Sequence, residues 1–430
     1  MEKPAPNSRR TFCKTVAKSA TALAAPSLLP ALSGYGHAQT SEPLRVGLQA
    51  HRTGIGASYG RWYERTSQAA VARINSNGGI NGRKVELIVE DDGTDPVRGA
   101  DVVRLLTNKH QCDVIFGTLF SHVVAASAPV AGELKVPYFI VSETHSLAAG
   151  EFNRYVLQPG MTDVRSQVLS MAPFISGNLG ENVAIIYPDY AFGHNHRDFL
   201  TPAIEQQGGN IVAKIGVPPT ETSFRSYFEQ IPENTDVLYH VMVGPTIMSF
   251  IQQLGQYYEN DRPEIFGFID SLEAVDLQTP GLEFLEGTYF WEGHPRYHQA
   301  EAAEFELEYR KAVSVDLNGA STTDQHDIAT FSHMYGCWET LNIIKAGMQD
   351  AFYKTKANRS DLIEAIEAMT YFPQSLDIPQ GPKVFNGMTH QTFGHQYISR
   401  LENGKLQLAH TTGITDTFYP DAVDYTDYSF

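Results

Sequence analysis

Cysteine is scarce in this chain: of 430 residues only Cys13, Cys112 and Cys337 carry a thiol. So few exclude a fold stapled by a disulfide framework and leave room for one bond at most, which the sequence does not show to form. Positive charge is short as well, with 32 Lys and Arg against 49 Asp and Glu and a net charge of −17. Such a balance disfavours nucleic acid as a partner, because phosphate binding needs clustered cations. Long apolar runs are missing too. The stretch from Thr15 to Leu32 is broken by Lys18, prolines and serines, which argues against a retained membrane anchor. No G-x-S-x-G elbow surrounds Ser121, and neighbours on a helix diverge by about 100°, so the Ser121-His122 pair ranks low as a nucleophile with its base. What the chain does have is 42% hydrophobic residues, enough for large cores and for two domains of ordinary size.

The first residues are set aside before any fold is considered. Ser8-Arg9-Arg10-Thr11-Phe12-Cys13-Lys14 precedes an alanine-rich apolar stretch, and Gly36-His37-Ala38 offers small residues at cleavage spacing. This resembles a twin-arginine export signal, spanning residues 1–38 and cleaved near Ala38, and it implies handling by the twin-arginine translocation machinery and a periplasmic address. Its removal takes away Lys3, Arg9, Arg10, Lys14, Lys18 and Glu2 and moves the net charge to −21.

From Pro43 short β-branched runs alternate with longer amphipathic ones, the pattern of a parallel sheet with crossover helices. Strands are expected at 44–48, 85–90, 113–116 and 138–141, with helices at 60–75, 96–109 and 122–134. A second series has strands at 183–187, 210–215, 237–240 and 265–268, with helices near 163–175, 194–207, 223–231 and 245–258. Both series contain a Gly-Gly turn between helix and strand, at Gly78-Gly79 and at Gly208-Gly209. Two similar α/β lobes follow, and ligands of open parallel sheets sit beyond the carboxyl ends of the strands, so a cleft between the lobes is the expected site. Residues 299–369 read as more helical, and the acidic, aromatic tail after Gly413 reads as draped or frayed.

Several motifs now stand in order: Arg45-Val46-Gly47-Leu48, Thr53-Gly54 with Ser58-Tyr59-Gly60, Asn77-Gly78-Gly79-Ile80-Asn81-Gly82-Arg83-Lys84, Asp91-Asp92-Gly93-Thr94-Asp95-Pro96, and Val136-Pro137. Together they resemble the type I periplasmic ligand-binding proteins of the branched-chain amino acid and amide class, over about residues 43–410. The resemblance implies two Rossmann-like lobes with parallel sheets joined by a three-crossover hinge, and a solute receptor that serves the membrane permease of an ABC importer. By analogy the first lobe takes 43–160 plus 271–388, and the second 161–270 plus 389–430. The same likeness places Ser121, Ser142 and Thr144 around a ligand oxygen, Tyr59 on the first lobe's wall, and Phe192 or Tyr190 as a ring that closes over the ligand.

Each assignment has a competitor. Ser121 is also an apt helix N-cap, Tyr59 an apt surface aromatic, and Tyr190 and Phe192 apt packing residues at the hinge face. Arg52 could clamp a carboxylate or stand exposed. One departure is sharper: amino acid receptors of this class place a glutamate after a proline in the second lobe, whereas Gly244-Pro245 is followed here by Thr246. A buried ammonium without a carboxylate is costly, so Asp270 or another acid must reach in if the ligand is an amino acid. Amides, urea-like solutes and small carboxylates therefore compete with branched-chain amino acids. Neither a cofactor nor a metal is expected; Gly193-His194-Asn195-His196 has the two-residue spacing that points rings apart on a helix. A sensor of the same fold and an exported hydrolase are the alternatives to a transport receptor.

Overall fold

The computed structural model describes residues 42–430 apart from Pro245, Glu259 and Asn260, and leaves the side chain of Asp270 undescribed. The twin-arginine-like segment and its cleavage site lie outside the described residues. The first lobe begins with β1 (Leu44–Ala50), α1 (Ala57–Ser76), β2 (Val85–Asp91), α2 (Pro96–Arg104), β3 (Val114–Gly117), α3 (Ser121–Glu133), β4 (Tyr138–Phe139) and β5 (Val156–Leu157). Its sheet has the order β2-β1-β3-β4-β5 with every pairing parallel. Leu44, Val46 and Leu48 of β1 are fully buried, as a strand covered on both faces requires. Asp95 starts α2 by accepting the Arg98 N–H at 2.8 Å, with Pro96 in the first turn where its missing N–H costs nothing.

The second lobe contains α4 (Val164–Phe174), β6 (Asn182–Pro188), α5 (Ala191–Gln206), β7 (Asn210–Val217), α6 (Arg225–Phe228), β8 (Val237–His240), α7 (Ile247–Tyr258), β9 (Glu264–Phe268) and β10 (Tyr289–Glu292). Five of its strands are parallel. The chain then returns through α8 (Glu304–Ala312), the hairpin β11 (Ala320–Ser321) and β12 (Asp324–Ile328), α9 (Phe331–Asp350) and α10 (Arg359–Glu367). Helix α9 is buried over most of its length and packs with α1 in the first lobe's core. A small antiparallel sheet of β13 (Tyr371–Phe372), β14 (Lys383–Asn386) and β15 (Gln391–Gly394) leads to β16 (Tyr397–Glu402) and β17 (Lys405–Thr411). These last two complete the second sheet as β17-β16-β10-β9-β8-β6-β7, with β16 antiparallel to β10.

Two expected boundaries are corrected. Residues 271–292 do not belong to the first lobe, because β10 hydrogen-bonds in parallel to β9 and its Phe290 and Trp291 are buried in the second lobe's cores. The tail is neither frayed nor part of the second lobe to its end. After β17, the Tyr419 hydroxyl lies within hydrogen-bond reach of Asp163 Oδ2 at 2.7 Å and of Gln391 Oε1 at 2.8 Å, with one proton to give between them. Tyr425 is then fully buried in the first lobe, where its hydroxyl donates to the Leu147 carbonyl at 2.7 Å. The final ring, Phe430, packs under the Arg154 guanidinium 4.0 Å away. The three crossings, near 158–163, 293–296 and 395–396, are thus joined by a fourth return of the chain. Among the described residues no helix is long and apolar enough to cross a membrane.

Candidate functional site

On the first lobe, β3 ends at Gly117, whose φ of +104° and whose approach to the Gln49 carbonyl leave no room for a side chain. Buried Thr118 follows, its hydroxyl 3.3 Å from His51 Nδ1. Burial between Tyr63 and Phe120 holds the His51 imidazole neutral, its pKa pushed down to about 3. Ser121 is the first residue of α3, and Phe120 rather than Ser121 occupies the cap position, without a side-chain cap bond. The helical bonds begin with the Val123 N–H to the Phe120 carbonyl at 2.9 Å, so the amides of Ser121 and His122 stand ahead of the ladder at the positive end of the helix. Ser121 is half-buried, whereas exposed His122 turns away to the Thr94 carbonyl at 3.2 Å. The Ser-His pair has no shared geometry.

Ser142 and Thr144 lie in the turn after β4, both buried. Their hydroxyls accept local amides at 3.3 Å, from Thr144 and Ser146 respectively. Between them stands Glu143, which sequence reasoning passed over. Its carbonyl accepts the Val164 N–H at 2.9 Å and its Oε1 accepts Gln167 Nε2 at 2.7 Å, so this first-lobe loop docks on the start of α4 in the second lobe. Beside it, the His145 imidazole pairs with Asp163, whose carboxyl is held below its usual range; burial works against this, and the bonds from His145, Ser166 and Tyr419 overcome it.

The second lobe supplies rings. Tyr190 and Phe192, at the head of α5, stack with centroids 6.2 Å apart. Phe192 meets Phe268 at 5.6 Å, and Phe268 lies flat on Trp291 at 4.4 Å. Next comes His333, near the start of α9, with Trp291 at 6.5 Å and Phe268 at 6.4 Å on one side and Tyr59 of α1 edge-on at 5.6 Å on the other. Tyr59, Tyr190 and Phe192 are therefore linked in one aromatic seam that runs from lobe to lobe. Two carboxylates flank its centre: Glu143 Oε1 is 3.4 Å from His333 Nε2, and Glu273 Oε1 is 3.8 Å from His333 Nδ1. Glu273 also accepts the Ser332 N–H at 2.6 Å, and Arg296 donates to the carbonyls of Leu272, Glu273 and Val275.

Thr246 is half-buried ahead of α7, where its carbonyl accepts the Phe250 N–H. Asp270 lies in the short helical turn Ile269–Leu272 after β9, and its side chain is outside the described residues. Arg52 reaches Glu64 through two bonds of 2.6 Å on the exposed face of α1, so its fork is already filled. His194 pairs with Asp189 at the surface, whereas buried His196 donates to or accepts from the Tyr239 hydroxyl at 2.8 Å; the two rings diverge as their spacing requires. Cys112 and Cys337 are free and buried, in separate cores.

Comparison with known proteins now bears on this architecture. A family model described as periplasmic binding protein matches residues 43–405. The chain belongs to that family. Among curated relatives, this periplasmic binding protein is 24% identical over 221 residues to an amino acid binding protein of Pseudomonas aeruginosa, covering 48% of the chain and 57% of that protein. It is also 24% identical to the Leu/Ile/Val-binding protein of Escherichia coli, over 50% of the chain and 58% of that protein. The match thus spans little more than half the length of the curated relatives. In fold it is similar to the isoleucine complex of a branched-chain amino acid transporter substrate binding protein from Streptococcus pneumoniae, with a TM-score of 0.69, 17% identity, and 86% and 99% of the two chains covered. A solute binding protein of R. palustris in complex with 4-hydroxybenzoate is similar too, with a TM-score of 0.73, 18% identity, and 90% and 99% covered. The two-lobed α/β fold is shared with proteins whose ligands differ in charge.

Proposed function

We propose that this chain is a periplasmic solute receptor, which traps a small polar molecule between its lobes and presents the closed form to the membrane permease of an ABC importer. The observation that carries the reading is the aromatic seam: rings from α1, β9 and β10 meet at His333, the rings of α5 join them through Phe268, and carboxylates from the loops beyond β4 and β9 flank His333. Such a seam excludes water on closure and strengthens each polar contact inside it. Amino acids, amides, urea-like solutes and small carboxylates are the ligand classes to compare, with Ser121 and the leading amides of α3 as the oxygen cradle. The same proposal takes residues 1–38 as a twin-arginine signal that delivers the folded chain to the periplasm.

The test is a thermal-shift and calorimetric screen of those four classes on the protein without residues 1–38, since a ligand held only by the folded state raises its melting temperature by mass action. Saturable binding without turnover of esters or amides is expected. Turnover would make the protein a hydrolase, and binding with no association to any permease would favour a sensor.

A further inference from the structure

We propose that the edge of the first lobe where its strands begin is a docking surface for an anionic lipid bilayer, separate from the ligand cleft. Strands β1, β2 and β3 are parallel, with Leu44 paired to Val85 and Val46 to Val114. Their amino ends therefore share one edge, opposite the carboxyl ends where ligands of such sheets sit. The chain around α9 and α10 closes the same edge. Arg359 donates to the carbonyls of Cys112, Asp113 and Lys135, and Arg83 to those of Glu42, Pro43 and Lys354.

Two features set this edge apart. The first is how its cations are held. Arg83 and Arg359 bond to carbonyls, Lys84 Nζ donates to the Asn75 carbonyl at 2.7 Å, and Lys356 Nζ donates to Gln111 Oε1 at 2.6 Å. All of these acceptors are neutral, whereas arginines elsewhere face carboxylates, as Arg52 faces Glu64, Arg73 faces Asp377 and Arg154 faces Glu367. Partial burial, and after it the charge of Arg359, hold the Lys356 ammonium below its ordinary pKa. Arg45 is paired, with Glu86 at 3.2 Å, and Lys354 is exposed. The acids on this edge are Glu42, Glu86, Asp350 and Asp361 at the surface and buried Asp113, while Lys135 and Glu133 beside it cancel. The balance is slightly positive, in a chain whose net charge is −17.

The second feature is Phe352, in the turn after α9, with 77% of its surface exposed, the largest value for any large apolar side chain among the described residues. Its neighbour Tyr353 is buried and bonded to Asp113 at 3.2 Å, and the turn gives Phe352 a φ of +46°, which a bulky residue rarely adopts. Phe352, Arg83 and Lys354 border one open basin of about 520 Å³. An exposed ring among cations is the combination that interfacial binding uses, the ring entering at the acyl boundary and the cations meeting anionic headgroups. Glu42, the first described residue, lies on this edge, so the segment before it leaves from here. That segment carries Lys3, Arg9, Arg10, Lys14 and Lys18 against Glu2 alone; its charge matches the same anionic surface and repels this edge. With residues 1–38 as an export signal, the folded chain meets the membrane by this edge first.

The test is flotation of the protein without residues 1–38 on vesicles of phosphatidylglycerol and phosphatidylcholine in equal parts, with pure phosphatidylcholine as the neutral surface. At about 50 mM salt the protein is expected to partition at least about fivefold more strongly onto the anionic vesicles, and about 0.5 M salt should release it. Lys84→Glu/Lys354→Glu alters two exposed side chains and should lower the partition onto anionic vesicles about tenfold or more. Phe352→Ser should lower it about threefold or more while keeping the salt dependence. Circular dichroism shows that both variants remain folded. Equal partition onto the two vesicle types, no partition, or partition unchanged in both variants overturns the assignment. Binding to soluble polyglutamate without partition onto vesicles also overturns it, and gives the edge to an acidic protein instead. Each of these failures leaves the receptor reading intact, because the ligand screen tests that reading separately.

Discussion

Lys383→Met should expose how the hinge region is held together. Lys383 and Glu339 are both fully buried, 3.1 Å apart, and the Lys383 ammonium also donates to Gln380 Oε1 at 2.9 Å. Gln380 in turn donates its backbone N–H to Glu339 and its side chain to the carbonyls of Gly293 and His395, one in each of two crossings. Removing the lysine leaves a buried carboxylate without its cation, which costs about 3–5 kcal/mol. For a chain of this size that corresponds to a fall of roughly 4–6 °C in melting temperature. The pH dependence follows from Glu339, whose pKa is pushed up to about 7 by burial, with the charge of Lys383 pulling against that rise. A carboxyl raised above its unfolded value binds its proton more tightly in the native state, so its contribution is full at low pH and is lost as pH climbs through about 7. Without Lys383 the native value rises further. The variant's deficit should therefore be larger at pH 8 than at pH 5, by at most about 1.4 kcal/mol per pH unit. Urea unfolding at both pH values measures it, with Glu339→Gln/Lys383→Met as the rescue. An equal deficit at the two pH values, or a double variant no more stable than the single one, would refute the reasoning.

Ser121→Ala should weaken the ligand found in the screen by about two- to tenfold, the worth of one hydrogen bond, and unchanged affinity in calorimetry would remove Ser121 from the cradle. Cys112 and Cys337 should resist a thiol reagent in the native protein and react in denaturant, because burial raises both thiol pKa values, that of Cys112 to about 12; labelling of the native form would contradict their placement. Tyr425→Ala should cost about 3–5 kcal/mol, as for other large buried rings, and chemical denaturation showing less than 1 kcal/mol would mean the tail is not packed in solution.

Much of the parallel scaffold was legible because its strands are continuous apolar runs. The strand Val237–His240 has its expected bounds, and most others in the two series differ by one or two residues at an end. The elements after residue 285 were not anticipated as strands, since β11, β13 and β14 are two to four residues long and carry polar side chains. Their pairing is set by neighbours far away in the chain. The same limit applies to the site. Ser121, Ser142, Tyr59 and Phe192 announce themselves by standing at strand ends and helix starts, but nothing in the spacing of Glu143, Glu273 and His333 shows that one point between lobes gathers all three. Glu143 was the nearest to discovery, since both of its neighbours were chosen for their hydroxyls. The tail was misread because acidic composition suggests solvation, while the anchoring is done by Tyr419, Tyr425 and Phe430, which composition alone leaves unplaced.

That tail also sets a length. Tyr419 is fixed at the base of α4 and Tyr425 under the Leu147 carbonyl, with the six peptide links between them spanning no more than about 20 Å when fully drawn out. As long as both anchors hold, the lobes are on a leash, and how far they can part at that edge is limited by contour length rather than by contact energy. A reporter fused after Phe430 would ride on the first lobe, although the strand that precedes the leash belongs to the second.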